Sequence, residues 1–183
     1  MMQILHKLFV TKLFLVMLFI SGEVIATPRE DAIKSGFLYN FARYSDGVWF
    51  NPDIQTHYNM CSFNPEFIAA ARHTLKGLTI KNRPITVNLL MSEPGSIEVK
   101  ECDTLFISKY DIDTWDVLFK NENYSKLMLV GEFDDFLSSG GHINFFILGG
   151  KVRFEIDPVK LKKSGINMSS KVLRLGRIHE RGL

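Results

Sequence analysis

Hydrophobic residues recur with helical spacing at residues 31–44 and then form a strand-like run at residues 58–63. Residues 31–44 have an apolar side chain at every third or fourth position, which predicts an amphipathic helix. Residues 58–63 form a run that is typical of a short strand. Asn64 and Pro65 then provide the cap and the first residue of a second helix, which Gly77 ends.

The alternation of strand and helix continues through the middle of the chain. Apolar and alternating runs predict strands at residues 85–90, 104–107 and 126–130. Helical spacing predicts a helix at residues 112–119 and a short one at residues 133–137. Because successive strands are separated by helices, we expect most of them to be parallel.

The last third of the chain has a different pattern. Residues 143–148 and 151–156 flank Gly149-Gly150, and two glycines suit the positive φ angles of a tight hairpin turn. Asp157-Pro158 and Ser169-Ser170 begin two predicted C-terminal helices. The sequence therefore predicts an α/β fold: a three-layer αβα sandwich with a central, mostly parallel sheet and an antiparallel hairpin near the C-terminus.

The N-terminal residues 1–26 have the features of a secretory signal peptide. Two lysines precede the apolar run 13–20, and Val24 and Ala26 are small enough for the −3 and −1 positions of a cleavage site. The alternative is an uncleaved membrane anchor, although the run is shorter than the roughly 20 residues that span a bilayer. We therefore expect export to the periplasm and a single mature domain of residues 27–183.

Composition and charge exclude several classes of protein. Of the 183 residues, 46% are hydrophobic and 23% are charged, which excludes a disordered or collagen-like chain. The formal net charge of +2 is too balanced for a protein that gains affinity by neutralising phosphates, so nucleic acid is not expected as a partner.

No motif for phosphate binding, dinucleotide binding or serine nucleophiles occurs, and the histidines lack metal-ligand spacing. No catalytic residue, metal or cofactor is therefore predicted. Cys61 and Cys102 can form one disulfide or remain two free thiols, and an oxidising compartment favours the disulfide.

Charged residues near the C-terminus are the remaining candidates for a site. Arg153 and Glu155 alternate with apolar residues and so share one face of the last predicted strand. Arg174 and Arg177 on the last predicted helix would form a basic patch with Arg43 of the first helix if those helices meet beside that strand.

Several strings along the chain keep the order and spacing found in one family of proteins. They are FLYNFARY at 37–44, CDTLFIS at 102–108, GG at 140–141, VRFEI at 152–156 and SSKVLRL at 169–175. With Cys61, they make nearly the whole mature chain resemble the YfiR family.

The resemblance implies a function. YfiR-like proteins are non-enzymatic periplasmic regulators, and the best-understood type represses a membrane-bound diguanylate cyclase by binding its periplasmic domain, with disulfides governing the stability of the repressor. We expect the partner to bind a surface formed by the first helix, the last strand and the last helix. Its contact residues would be Arg43, Arg153, Glu155 and Arg174, unless Glu155 and Arg174 form an internal structural pair. The disulfide would be structural or redox-sensing, and a second copy of the chain is a further candidate partner. The alternative is a periplasmic small-ligand-binding module that uses the three arginines.

Overall fold

The computed structural model describes residues 27–91, 98–119 and 126–179. The helices of these ranges are α1 (Thr27–Arg43), α2 (Pro65–Thr74), α3 (Ile112–Phe119), α4 (Pro158–Lys163) and α5 (Ser170–Leu173). The strands are β1 (Ser45–Gly47), β2 (Tyr58–Ser62), β3 (Thr79–Ile80), β4 (Arg83–Leu89), β5 (Thr104–Ile107), β6 (Met128–Gly131), β7 (Ile143–Leu148), β8 (Lys151–Ile156), β9 (Ile166–Met168) and β10 (Arg177–Ile178). The predicted signal peptide lies outside the described residues.

A central sheet has the strand order β10-β8-β7-β6-β5-β2-β4-β3. The five strands β4, β2, β5, β6 and β7 are parallel to one another, as are β8 and β10. The pairs β7–β8 and β3–β4 are antiparallel. The predicted fold class is confirmed: the sheet is mostly parallel and carries an antiparallel hairpin near the C-terminus.

Hydrophobic cores cover both faces of this sheet, because neighbouring residues of a buried strand point to opposite sides. In β5, Phe106 belongs to the core beneath α1 and α2, whereas Leu105 and Ile107 belong to the core beneath α3. Trp115 of α3 and Phe136 lie in that second core with ring centroids 4.7 Å apart. Helical layers therefore lie on either side of the sheet, as a sandwich requires.

Helices α2 and α4 begin at the residues that their capping sequences predict. The side chain of Asn64 accepts a hydrogen bond from the Phe67 N–H at 2.9 Å, and Asp157 accepts from the Val159 and Lys160 N–H groups. Both caps are followed by proline, which lacks the N–H that the first turn would leave without a partner.

The predicted short helix at residues 133–137 is wrong. The segment forms successive turns instead, and Asp135 has a φ of 62°. A residue in the left-handed region cannot continue a right-handed helix, so the apolar spacing of Phe133 and Phe136 reflects burial of a turn.

The predicted C-terminal helix is also shorter than expected. It ends at Leu173, and Arg177 lies in strand β10 rather than on a helix. The edge of β8 explains the change, because Arg177 and Ile178 pair with Glu155 and Ile156 there. Backbone hydrogen bonds to an open strand edge replace those of a further helical turn.

Two small features have no counterpart in the sequence-based prediction. Strands β1 and β9 form a separate two-stranded sheet, and β3 joins β4 through Lys81 and Asn82, which have φ angles of 48° and 66°. None of the helices in the described ranges is long and apolar enough to cross a membrane.

Candidate functional site

The candidate site is a surface at the β10 edge of the sheet. Residues of β8 alternate between its two faces: Phe154 packs against Phe37 and Phe41 of α1, with ring centroids 5.3 and 4.9 Å apart. Arg153 and Glu155 therefore point away from α1, on the opposite face of the strand. The alternation of the VRFEI string thus places both charged side chains on one surface.

Glu155 is held by Arg177 from the neighbouring strand. The Arg177 Nη2 and Nε atoms donate to Glu155 Oε2 at 2.6 and 3.1 Å. The Arg177 guanidinium also lies over the ring of Phe146, 4.6 Å from its centroid. The Glu155 side chain is 17% exposed, so part of it remains accessible to solvent.

The other predicted site residues lie at three separate places. Arg153 is exposed and stands opposite Phe146 across the hairpin. Arg43 is exposed at the end of α1, with its guanidinium carbon 5.8 and 5.6 Å from the ring centroids of Tyr39 and Tyr44.

Arg174 is exposed at the C-cap of α5. The structure therefore brings Arg153 and Glu155 onto one face. The described residues show no direct contact from Arg43 or Arg174 to that pair.

Arg177 is the site residue whose role sequence reasoning missed. The pairing considered from the sequence was between Glu155 and Arg174, but the partner of Glu155 is Arg177. A two-residue strand at the sheet edge has no periodicity to detect, and its register with β8 is a tertiary contact. The sequence offered one weak signal of a strand, namely the polar Arg177 followed by the apolar Ile178.

The predicted disulfide is present between Cys61 and Cys102, whose Cα atoms are 6.0 Å apart. It ties the middle of β2 to the residues just before β5, and both cysteines belong to the core beneath α3. Cys61 is 0% and Cys102 is 5% exposed. A reductant in solvent therefore has little access to either sulfur in the folded protein.

A second group of charges lies where α1 crosses the end of β6. The buried Lys34 ammonium donates to Glu132 and forms ion pairs with Glu30 at 2.5 Å and Asp31 at 3.9 Å. Burial disfavours the charged lysine, but the hydrogen bonds to Glu132 and Glu30 outweigh it and raise the pKa of Lys34. This cluster joins the helix to the sheet.

A cavity of 480 Å³ lies next to this cluster, beside α3. Its charged lining residues are one lysine and four acids, namely Lys109, Asp116, Glu132, Asp134 and Asp135. None of the three arginines predicted to bind a ligand lines it. Among the described residues, no group of three or more His, Cys, Asp or Glu side chains is arranged to hold a metal ion.

Comparison with known proteins identifies one matching family. The family described as YfiR/HmsC-like matches residues 31–177, which is most of the chain. The matched region contains both cysteines, the hairpin and Arg177. No curated protein matches the chain.

Proposed function

The chain belongs to the YfiR/HmsC-like family, and from this premise we propose that it is a non-enzymatic periplasmic regulator. It binds the periplasmic part of a membrane-anchored signalling protein, a diguanylate cyclase, and lowers the output of that enzyme. Export removes residues 1–26, and residues 27–183 form the mature domain. The family match is the observation that carries this proposal.

The sheet-edge surface supports a role in recognition. Arg153 is exposed and faces the same side as Glu155. An arginine can donate two parallel hydrogen bonds, and such residues are enriched where protein interfaces derive most of their affinity. We assign the partner contact to Arg153 and Glu155, with Arg43 and Arg174 at its margins.

The Glu155–Arg177 ion pair allows a test that separates recognition from folding. Glu155→Arg places two arginines side by side and removes the acidic group from the surface. We expect raised cellular cyclic di-GMP with nearly unchanged amounts of folded protein. The Arg177 side chain is 65% exposed, so solvent screens the ion pair and limits its contribution to stability to about 1 kcal/mol.

The matched control exchanges the two charges, as Glu155→Arg combined with Arg177→Glu. This variant restores an ion pair between β8 and β10 but reverses its direction. If Glu155 contacts the partner, cyclic di-GMP stays high in the exchange variant. If the pair acts only within the molecule, the exchange restores repression, and that result would contradict the assigned contact.

Deletion of the gene tests the proposed function itself. We expect cyclic di-GMP to rise to at least the level of the Glu155→Arg strain. An unchanged level in the deletion strain would remove the cyclase-repressor proposal. The cavity beside α3 gives no support to the ligand-binding alternative, because none of the three arginines lines it.

A further inference from the structure

The β7–β8 hairpin extends beyond the strands on either side of it. β6 pairs with β7 only through Ile143 and Asn144, and β10 pairs with β8 only through Glu155 and Ile156. A strand rises about 3.3 Å per residue, so residues 145–148 carry the hairpin about 13 Å past its pairing with β6. Within the described ranges, the end of the hairpin is a two-stranded ribbon without a further strand on either edge.

The tip of this ribbon is apolar and exposed. Ile147 and Leu148 are 53% and 64% exposed, and they precede a two-glycine turn with φ angles of 59° and 69°. Adjacent residues of a strand point to opposite faces, so one aliphatic side chain projects on each side of the tip. Two large aliphatic groups at a convex end present apolar surface that the fold itself does not cover.

The charge next to the tip has one sign. Lys151 and Arg153 are the charged residues of the segment 143–154, which contains no acidic residue. Both are exposed, and they stand opposite Leu148 and Phe146 across the hairpin. The described residues provide neither of them with an ion-pair partner. The ribbon thus combines an apolar end with unneutralised positive charge a few ångströms behind it.

We propose that this hairpin tip docks on an anionic phospholipid bilayer. Ile147 and Leu148 enter the boundary between headgroups and acyl chains, and Lys151 contacts the lipid phosphates. Arg153 lies further from the tip, so it adds electrostatic attraction to the anionic surface while keeping its contact with the signalling partner. The reach of the ribbon exceeds the roughly 5–10 Å by which amphipathic segments enter this boundary. A basic residue near an anionic surface adds electrostatic attraction to the burial of the aliphatic groups.

A bilayer fits this tip better than a protein surface does. Protein interfaces are broad, and their buried centres are enriched in aromatic residues. Here the exposed groups are aliphatic, occupy a narrow convex end and are flanked only by positive charge. The proposal is independent of the identity of the signalling partner, and it would hold the protein at the membrane in which such a partner is anchored.

Vesicle flotation tests the proposal with the exported protein, whose intact mass is first checked to begin at Thr27. The probes are vesicles of phosphatidylcholine alone and vesicles that also contain phosphatidylglycerol. We expect binding to the anionic vesicles only, and a decrease of binding with added salt. Ile147→Ser with Leu148→Ser should weaken binding about tenfold or more, because two aliphatic groups no longer enter the bilayer.

Two further variants complete the design. Lys151→Glu with Arg153→Glu should abolish binding to anionic vesicles, because the electrostatic attraction between the hairpin and the lipid phosphates becomes repulsion. Ile54→Ser is the matched control, because Ile54 is 78% exposed but lies outside the hairpin; it should bind like the wild type.

Wild-type protein that stays unbound, or a tip variant that binds as well as the wild type, would overturn the proposal. Loss of affinity for a purified periplasmic partner domain in the tip variant, without any vesicle binding by the wild type, would assign the tip to a protein and also overturn it. Because the vesicle assays contain no part of the cyclase, their failure leaves the proposed repression to be judged by cyclic di-GMP alone.

Discussion

At the scale of single residues, His142 joins three elements through its two ring nitrogens. Its Nδ1 accepts a hydrogen bond from the Leu129 N–H at 3.1 Å, so the neutral ring carries its proton on Nε2, which lies 3.0 Å from Ser164 Oγ. Protonation of Nδ1 would remove the acceptor that Leu129 uses. Burial lowers the pKa of His142 to about 4, with Lys160 adding to this effect and Asp157 opposing it.

This histidine should make the protein sensitive to moderately acidic pH. The folded pKa of about 4 lies below the ordinary value of 6.5, so the unfolded state binds the proton first as the pH falls. The contribution of His142 to the free energy of unfolding is therefore fully present above pH 6.5. It should decline as the pH falls from 6.5 to 4, with a total loss of about 3 kcal/mol.

Urea unfolding between pH 7 and pH 4 measures this loss. His142→Asn keeps an acceptor and a donor but does not titrate, so its stability should decline less steeply across the window. Carboxylates that do not interact with residue 142 contribute equally to both proteins, so the difference between the two slopes reports the histidine together with its interaction with Asp157. Identical slopes would contradict the assignment.

At the scale of elements, Phe136 fixes the position of the turns that replace the predicted helix at residues 133–137. A Cβ atom built on Gly131 would lie 2.6 Å from Phe136 Cγ, and one on Gly141 would lie 2.1 Å from Phe136 Cε1. The ring is fully buried and packs edge-on against Phe133. It therefore has little freedom to move away from an added methyl group.

Gly141→Ala should destabilise the protein by about 1–3 kcal/mol, because overpacking forces buried rings off their preferred positions. Gly36→Ala is the matched control: Gly36 lies within α1 and a Cβ there would meet nothing within 4 Å. Alanine at a helix interior should instead stabilise by about 0.5–1 kcal/mol. Thermal unfolding should show a lower melting temperature for Gly141→Ala and a higher one for Gly36→Ala. An equal change of melting temperature in both variants would show that the contact with Phe136 is not rigid.

The same elements show how far sequence reasoning reaches. The hairpin was predicted with its true limits, because two glycines and two alternating runs are local signals. Strands β1 and β9 were missed, since each has three residues and its partner is distant in sequence. The charged face of β8 followed from the alternation of its residues. The Glu155–Arg177 pair depends instead on the pairing of β10 with β8, which is a tertiary contact. Local chemistry predicts elements, but the contacts that complete the site arise only from packing.

At the scale of the whole molecule, the disulfide connects the central strand β2 to the segment just before β5, across 41 residues of sequence. Closing a loop of this length in the unfolded chain should contribute about 4 kcal/mol in the chain-entropy account. That is a large fraction of the stability of a single domain. Its buried position favours a structural role, because reduction requires the core beneath α3 to open first.

Cys61→Ala combined with Cys102→Ala should lower the free energy of unfolding by about 4 kcal/mol, measured with urea. Folded wild-type protein should keep its disulfide in a mild reductant and lose it only under unfolding conditions. Thiol titration after each treatment counts the reduced cysteines. Complete reduction of the folded protein would contradict the structural role and favour a redox sensor.

The same disulfide also determines what happens when a protease cuts the chain. Helix α2 and strands β3 and β4 all lie between the two cysteines in sequence. A single cut anywhere in that interval gives two polypeptides that remain one covalent molecule, with β2 still bonded to the segment before β5. Such a nicked protein would run as one band without reductant and as two bands with it, so a single cut of this kind would not by itself release half of the sheet.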